Sequence, residues 1–475
     1  MKRVQFTGCW CCVVLLSFLV AINFAAGQGL PLIPGFDPEA LDKRLARQIK
    51  DRDMVGLSVA IMVDGKLAFA KSYGSRSLKE KHSMETNTML AIGSVTKQFT
   101  CAAVLLLAEE GKLSIHDTVA KYFPDLTQAD RVTLLDLMGH TSGYPDYYPL
   151  DYVDARMKQA VASDEIIARY CKGKLDFEPN TQWSYSNTGY IILARVVEKL
   201  SGQLFGTFLE QRILKPVDLR NTAYEPSPGD ARLGRGYTSF ALSPAEAVAP
   251  EAHGWAGAAG AVYSTPSDLV KWDLALMQGK ILKPESFKIM TTPRQLKNGK
   301  LTDYGCGLSI STRARRTVYS HGGAVSGFTS WNAMIPSLNA AVVLICNKDS
   351  GLDILPNEVL SMLLRDKSRI PNVNGPDAAD AAKAVFAQLQ KGKVDRSGFT
   401  DDFNEYLTPE KLAGAVKTLK RYGKIEKSAV VSAHERGGME VTVTRLTFHS
   451  GVLKALMYRS PDGKIAQFFV DRDNP

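Results

Sequence analysis

The period of apolar and polar positions changes several times along the chain, and each change predicts an element. Residues 57–63 (Leu-Ser-Val-Ala-Ile-Met-Val) are almost wholly apolar, Asp64-Gly65 interrupts them, and 66–72 resumes with Lys-Leu-Ala-Phe-Ala-Lys-Ser. Asp-Gly supplies the positive φ that a two-residue turn demands, so a β-hairpin is predicted. A longer apolar run, 99–107, stops at Glu110-Gly111. Its length and glycine stop predict a buried helix. In 189–200 the residues Ile192, Val196, Val197 and Leu200 recur at helical spacing, with Asn187 or Thr188 at the cap and Gly202 past the end. Short strand-like runs follow at 317–320, 329–335 and 340–346, split by Gly322-Gly323 and by Pro336-Ser-Leu-Asn339. Strands therefore lie at both ends of 35–365, with helix and loop signals between about 115 and 250. That order predicts an α+β unit whose N-terminal hairpin and C-terminal strands share one antiparallel sheet.

The pattern changes again after 365. Residues 365–379 are polar, with two prolines and a glycine, and read as a linker over 366–379. Helices are predicted at 382–390 and 409–422. Strand-like runs follow at 428–434, 439–448, 452–458 and 465–470, with a turn at Pro461-Asp462-Gly463. This is a small α+β domain over 380–475, similar to a cystatin-like or nuclear-transport-factor-like cone. At the other end, Lys2 and Arg3 precede an apolar run, 9–20, and the small residues Ala25-Ala26-Gly27. A charged start, an apolar stretch and a small-residue exit predict a secretory signal peptide, 1–27, and a periplasmic or secreted protein. The rival expectation is an uncleaved membrane anchor, since 9–26 is nearly long enough to span a bilayer.

Composition narrows the function. The chain has 475 residues, 45% hydrophobic and 23% charged, an ordinary globular balance for two or three folding units. The net charge is +9, but bases and acids are interspersed. Without a basic stripe or a nucleic-acid motif, nucleic-acid binding is not expected. Three of the seven cysteines lie in the leader; Cys101, Cys171, Cys306 and Cys346 are scattered without a C-x-x-C pair, so neither a zinc knuckle nor a redox pair is indicated. Cys101 and Cys346 sit in apolar runs and are expected as buried small hydrophobes. There is no H-E-x-x-H, and neither a metal nor a cofactor is expected.

Three short motifs carry candidate chemistry. Ser94-Val95-Thr96-Lys97 stands where a loop enters the apolar helix. Residues three apart share a helix face, so the Lys97 amine can reach the Ser94 hydroxyl, which needs such a neighbour to become a nucleophile. The bland alternative makes Ser94 a cap and Lys97 a solvated residue. Tyr185-Ser186-Asn187 lies just before the next helix. A tyrosine with a depressed pKa can act as general base, and an Asn amide can hold both a lysine and a substrate carbonyl. Its alternative is a packed tyrosine and a capping asparagine. In His321-Gly322-Gly323-Ala324 the glycines let backbone approach a ligand closely, placing the Ala324 N–H as a second oxyanion donor. Here the alternative is a glycine bulge beside an incidental histidine.

In this chain order the motifs resemble those of the penicillin-recognising serine enzymes: S-x-x-K, a second polar motif, then K-T-G or a variant. With Tyr-x-Asn second, the chain resembles class C β-lactamases, D-alanyl-D-alanine carboxypeptidases and β-lactamase-like esterases. The segment from Leu134-Leu135 to His140-Thr141-Ser142-Gly143 is similar to the family's L-L-x-H-T-S-G, and Gly257-Ala-Ala-Gly260 through Ser264-Thr265 to Asp268 to its A-G-G-x-x-S-T-x-x-D. The resemblance covers about 35–365 and implies the β-lactamase/transpeptidase-like fold. It implies Ser94 as the acylated nucleophile, Lys97 and Tyr185 sharing the proton work, and Asn187 orienting Lys97 and substrate. It also implies an oxyanion hole from the N–H groups of Ser94 and Ala324.

One departure matters. His321 stands where relatives that accept β-lactams have a lysine that helps hold the substrate carboxylate, and neutral histidine does this poorly. Some family peptidases carry histidine here too. There is no E-x-x-L-N, so the deacylating glutamate of class A enzymes is missing. The expected activity is hydrolysis of a small ester, amide or peptide through an acyl-enzyme, with carboxylesterase-like turnover first, D-amino-acid peptide cleavage second and β-lactam hydrolysis third. An alternative of another class is a non-catalytic binder of cell-wall fragments. The loop 144–152, with four tyrosines, is a candidate rim for the cleft, the alternative being an ordinary packed loop.

Overall fold

The computed structural model describes residues 36–473 apart from 52–53, 149–152, 242 and 365–369. The expected signal peptide, 1–27, and 366–369 of the expected linker lie outside the described residues. Strands β1 (Gly56–Val63) and β2 (Lys66–Ser77) form the expected hairpin, and Asp64 and Gly65 take φ values of 51° and 70°, as its tight turn requires. The remaining strands of this sheet are β3 (His82–Ser83), β4 (Ser309–Arg313), β5 (Arg316–Val325), β6 (Phe328–Ile335) and β7 (Ala340–Cys346). All seven lie in the order β3-β2-β1-β7-β6-β5-β4. β1 pairs with β7, Leu57 opposite Cys346, so the two ends of the region meet in one antiparallel sheet.

Helices cover both faces. They are α1 (Pro38–Asp51), α2 (Thr96–Glu109), α3 (Leu134–Met138), α4 (Thr188–Ser201), α5 (Pro266–Met277) and α6 (Leu355–Leu363). Leu57, Val59, Ile61 and Val63 share a core with Leu41 and Leu45 of α1 and Val359 and Leu363 of α6. Ala60 and Met62 point to the other face and join the core built by α2, α4 and α5. Every residue of β1 is buried, which is why 57–63 reads as a continuous apolar run rather than an alternating one.

α2 runs through the middle of this second core, and Thr96 to Leu107 are all buried. A polar side chain there needs a partner. Gln98 Nε2 donates to Asn332 Oδ1 (2.8 Å) and Trp272 Nε1 donates to Gln98 Oε1 (3.1 Å). Asn332 Nδ2 donates to both oxygens of Asp273 (2.9 and 2.7 Å), whose pKa burial pushes up to about 8. Thr100 Oγ1 donates to Ala258 O (2.7 Å). These bonds seat the start of α2 on the sheet and on the 257–260 segment.

The structure corrects one strand boundary. Gly322-Gly323 does not divide a strand; β5 continues through both to Val325, because β6 supplies ladder partners, with His321 opposite Asn332 and Gly323 opposite Ser330. β4 pairs β5 only as far as Ser320.

Beyond the linker stand α7 (Ala378–Lys391), α8 (Asp401–Tyr406) and α9 (Pro409–Leu419). A four-stranded antiparallel meander follows: β8 (Lys427–Arg436), β9 (Met439–Phe448), β10 (Gly451–Arg459) and β11 (Ile465–Arg472). Phe386, Leu446, Ala455 and Met457 centre a third core, whose residues all lie at or after Ala378, whereas the other two cores end at Leu364. Cys101, Cys171, Cys306 and Cys346 are free and buried.

Candidate active site

Ser94 lies in a single 3-10 turn, Gly93–Val95, that leads into α2. Its side chain caps no helix: neither that turn nor α2 has a side-chain cap. Gly93 has φ 51°, and a Cβ there would stand 2.7 Å from Ala324 N. A Cβ on Gly323 would stand 2.0 Å from Ile92 O and 2.4 Å from Ser330 Oγ. Both glycines are therefore required for the turn carrying Ser94 to lie against β5. Gly322 is different: the nearest atom to a Cβ there is Ser330 O at 3.9 Å. Ser330 Oγ fastens the contact by donating to Ile92 O (2.7 Å).

Lys97 is wholly buried. Its Nζ donates to Ser94 Oγ (3.1 Å), Asn187 Oδ1 (2.7 Å) and Ala259 O (2.9 Å). Burial lowers its pKa to about 7, with Asp146 opposing the shift, because the charged form has lost its water. Asn187 starts α4 but does not cap it with its side chain. Its Nδ2 donates to both oxygens of Asp146 (3.2 Å each) and its backbone N to Asp146 Oδ1 (3.0 Å). That orients the amide with its oxygen toward Lys97.

The Tyr185 ring lies under the Lys97 amine, 4.8 Å from Nζ to the centroid. Its hydroxyl is buried without a hydrogen bond of normal geometry, although Ser94 is near enough to offset part of the effect of burial, which raises its pKa. The sequence led us to expect a depressed value. Desolvation outweighs the nearby amine, which at pKa about 7 is only half charged at neutral pH, so a tyrosinate base is not favoured here.

His321 is buried and paired on both ring nitrogens. Nδ1 lies 2.5 Å from Gly322 O and Nε2 lies 2.8 Å from the Tyr304 hydroxyl. A carbonyl only accepts, so Nδ1 carries the proton and Tyr304 donates to Nε2. Burial, then Lys97, pushes its pKa down to about 4. His321 is thus neutral at physiological pH and offers no cation.

His140 adopts φ 59° and holds Tyr185 from both sides. Ser184 N donates to His140 O (3.0 Å) and Ser186 N to His140 Nδ1 (3.1 Å). The His140 and Tyr185 rings are 4.2 Å apart. Because Nδ1 accepts, the proton sits on Nε2, which has no partner among the described residues. Burial, Lys97 and His321 hold its pKa well below the usual value. The segment around it is fixed by a Thr133–Asp136 capping box and by Arg294, which donates to Asp136 Oδ1 (2.9 Å).

Geometry thus brings Ser94, Lys97, Tyr185 and Asn187 together, with Gly323 and Ala324 against the Ser94 turn and His321 beside Tyr185, its ring 6.2 Å away. In the tyrosine loop the packed alternative holds for two of the four rings. Tyr144 and Tyr147 are buried, donating to Thr127 O and Trp255 O, and Tyr152 lies outside the described residues. The aromatic at the mouth is instead Trp183, 42% exposed, with its ring 5.9 Å from Tyr304. Sequence reasoning missed Asp146 and Tyr304. The first was a lone carboxylate in a proline-tyrosine loop; the second carried no motif at all.

A serine and a buried low-pKa lysine at a helix start, under the edge of an antiparallel sheet, define a serine hydrolase of the β-lactamase/transpeptidase-like fold. The comparisons agree. The family model described as Beta-lactamase matches residues 41–363, and the chain belongs to that family. It is 28% identical to penicillin-binding protein 4* of Bacillus subtilis over 305 residues, covering 61% of this chain and 67% of that protein. It is 23% identical to a D-aminopeptidase of Brucella anthropi over 404 residues, covering 82% and 76%. The solved structure of D-amino acid amidase from Ochrobactrum anthropi, complexed with L-phenylalanine amide, superposes with a TM-score of 0.58 at 25% identity, over 69% of this chain and 97% of that one.

Proposed function

We propose that Ser94 is acylated by an amide or ester substrate and that neutral Lys97 takes its proton. The observation that carries this reading is the buried Lys97 amine 3.1 Å from Ser94 Oγ, its pKa brought down to about 7. Its two shorter bonds go to carbonyl oxygens that can only accept, Asn187 Oδ1 and Ala259 O. When the amine is neutral these keep its two protons, and the lone pair faces Ser94. The contact then reverses, with the serine donating.

Ser94 Oγ attacks the substrate carbonyl carbon and its proton passes to Lys97 Nζ. The N–H groups of Ser94 and Ala324 hold the oxyanion. The Tyr185 hydroxyl gives its proton to the leaving nitrogen or oxygen and takes one from Lys97 as that bond breaks. Water then repeats the steps on the acyl-enzyme and restores Ser94. The D-aminopeptidase and D-amino acid amidase relatives support a D-amino-acid amide or peptide as substrate, ahead of the carboxylesterase-like activity that the same acyl-enzyme would also give. Neutral His321 puts β-lactam turnover last. The N-terminal pattern supports export; among the described residues no helix is long and apolar enough to cross a membrane. Residues 380–475 are an accessory domain.

The test combines labelling and turnover. The mature protein and Ser94→Ala are incubated with a fluorophosphonate, and intact masses are compared. D-amino-acid amides and p-nitrophenyl esters are then assayed beside benzylpenicillin. One adduct on the wild type, none on Ser94→Ala, and amide turnover are expected; an adduct on both proteins would move the nucleophile elsewhere.

A further inference from the structure

Past Ser320 the strand β5 loses its neighbour β4, and β6 is its one remaining ladder partner among the described residues. The oxyanion donor proposed above, the Ala324 N–H, lies in this one-sided stretch, so its place depends on what holds the tip of the strand. The tip is a two-residue turn, Ser326-Gly327, between Val325 and Phe328, which face each other across the ladder. Gly327 takes φ 79°, and its carbonyl accepts from Tyr237 N (3.2 Å). Ser326 is held by one carboxylate oxygen: its N (3.1 Å) and its Oγ (2.8 Å) both donate to Glu251 Oε1.

The same oxygen accepts from the Tyr148 hydroxyl, and Tyr148 belongs to the loop that cradles Asn187. Its carbonyl accepts from Asn187 Nδ2 (3.4 Å). Its N–H donates to Asp146 Oδ1 (3.1 Å), the oxygen to which Asn187 N also donates (3.0 Å). Asn187 Oδ1 in turn holds Lys97 Nζ at 2.7 Å. A chain of bonds therefore runs from Lys97 through Asn187 and Tyr148 to Glu251, and on to Ser326, two residues past Ala324. Near one end stands the amine that takes the serine proton, and near the other the N–H that holds the oxyanion. Glu251 is where the two sides meet.

We infer that Glu251 is a positioning residue: as the acceptor shared by Tyr148 and Ser326 it fixes the Ala324 N–H relative to the Lys97–Asn187 side, and so sets the oxyanion hole without touching substrate. This rests on acylation of Ser94 as proposed above. An oxyanion donor contributes most when it needs no movement at the moment of reaction, and a misplacement of about 1 Å costs about 100-fold. A carboxylate suits this role because its bonds to N–H and O–H donors are charge-assisted. With one oxygen shared by all three donors, neither side can shift without lengthening a bond to the other.

The test is the rate constant for fluorophosphonate labelling of Ser94, followed by intact mass across pH on the wild type, Glu251→Gln, Glu251→Ala, Tyr148→Phe and the double variant Tyr148→Phe/Glu251→Ala. The phosphoryl oxygen of the reagent enters the same oxyanion hole. The rate constant is read on the molecules that label, so a merely structural role would lower the labelled fraction and leave it unmoved. Glu251→Ala is expected to lower the plateau rate constant about 10- to 100-fold, with the pH midpoint still at about 7 because Lys97 keeps its surroundings. Glutamine retains an accepting oxygen, and Glu251→Gln should stay within about fivefold of the wild type. Tyr148→Phe cuts the same bridge from the other side, so the double variant should lose no more than Glu251→Ala alone. An unchanged rate constant in Glu251→Ala, an equal loss in Glu251→Gln, additive losses in the double variant, or a change confined to the pH midpoint overturns the inference. If Glu251→Ala fails to fold, Tyr148→Phe decides: a loss of about fivefold or more supports the bridge, and a smaller one overturns it. Absence of an adduct on wild-type Ser94 would remove the acylation reading, and this inference with it. An adduct whose rate constant ignores Glu251→Ala would remove only the role of Glu251.

Discussion

Lys97 carries the pH dependence of the proposed reaction. Below its pKa of about 7 the amine is an ammonium and cannot accept the serine proton. The rate constant kcat/KM should therefore rise with pH, about tenfold per unit, and level off above 7. A profile flat from pH 5 to 9 would contradict the assignment. His140 acts through Tyr185, since it binds the backbone on both sides of that residue. His140→Ala should lower kcat by about 100-fold through misplacement of the hydroxyl, while KM changes little and the pKa seen in kcat/KM stays near 7. Equal losses in kcat and folded yield, with kcat normal per folded molecule, would make His140 merely structural. At this scale the reacting pair was legible, because Ser94 and Lys97 are one helical turn apart and their contact is local. Asp146 and Tyr304 were not. Each meets its partner by packing of its loop against another element, Asp146 on the start of α4 and Tyr304 on β5, and nothing in their neighbours' spacing announces it.

Elements were legible in proportion to how local their signal is. The hairpin at Asp64-Gly65 and the α2 and α4 helices follow from turn chemistry and periodicity. β4 did not stand out, because Ser309–Arg313 is a partly exposed edge strand with little apolar character. The Gly322-Gly323 pair was read as a break, yet β5 runs through it, since a glycine weakens a strand but does not end one that has a ladder partner. The two glycines now separate. Gly323→Ala would push a methyl into Ile92 O, and should destabilise the protein by roughly 1–3 kcal/mol and suppress Ser94 labelling. Gly322→Ala meets only an ordinary van der Waals contact, with Ser330 O at 3.9 Å, and should stay within about 0.5 kcal/mol of the wild type. Denaturant midpoints of the two variants, with labelling rates, check this; equal destabilisation would mean that the approach of the Ser94 turn to β5 is not the reason for Gly323.

The described residues hold three apolar cores, and the third shares no residue with the other two. Phe386→Ala removes a fully buried ring from that core, at about 3–5 kcal/mol. Two thermal transitions are expected, with the variant lowering only one and leaving Ser94 labelling intact up to the other. A single transition that drags labelling down with it would show that 380–475 and the hydrolase region unfold together. The sequence by itself determined the α+β order, the separate C-terminal module and the serine–lysine pair, because turn residues, periodicity and helical spacing are local properties. Only the tertiary structure decided the electrostatics. At pH 7 His321 is neutral, Lys97 is about half deprotonated and Tyr185 is a protonated hydroxyl, because all three were taken out of water by residues distant in the chain. Desolvation is a property of the assembled interior, and no short stretch of sequence encodes it.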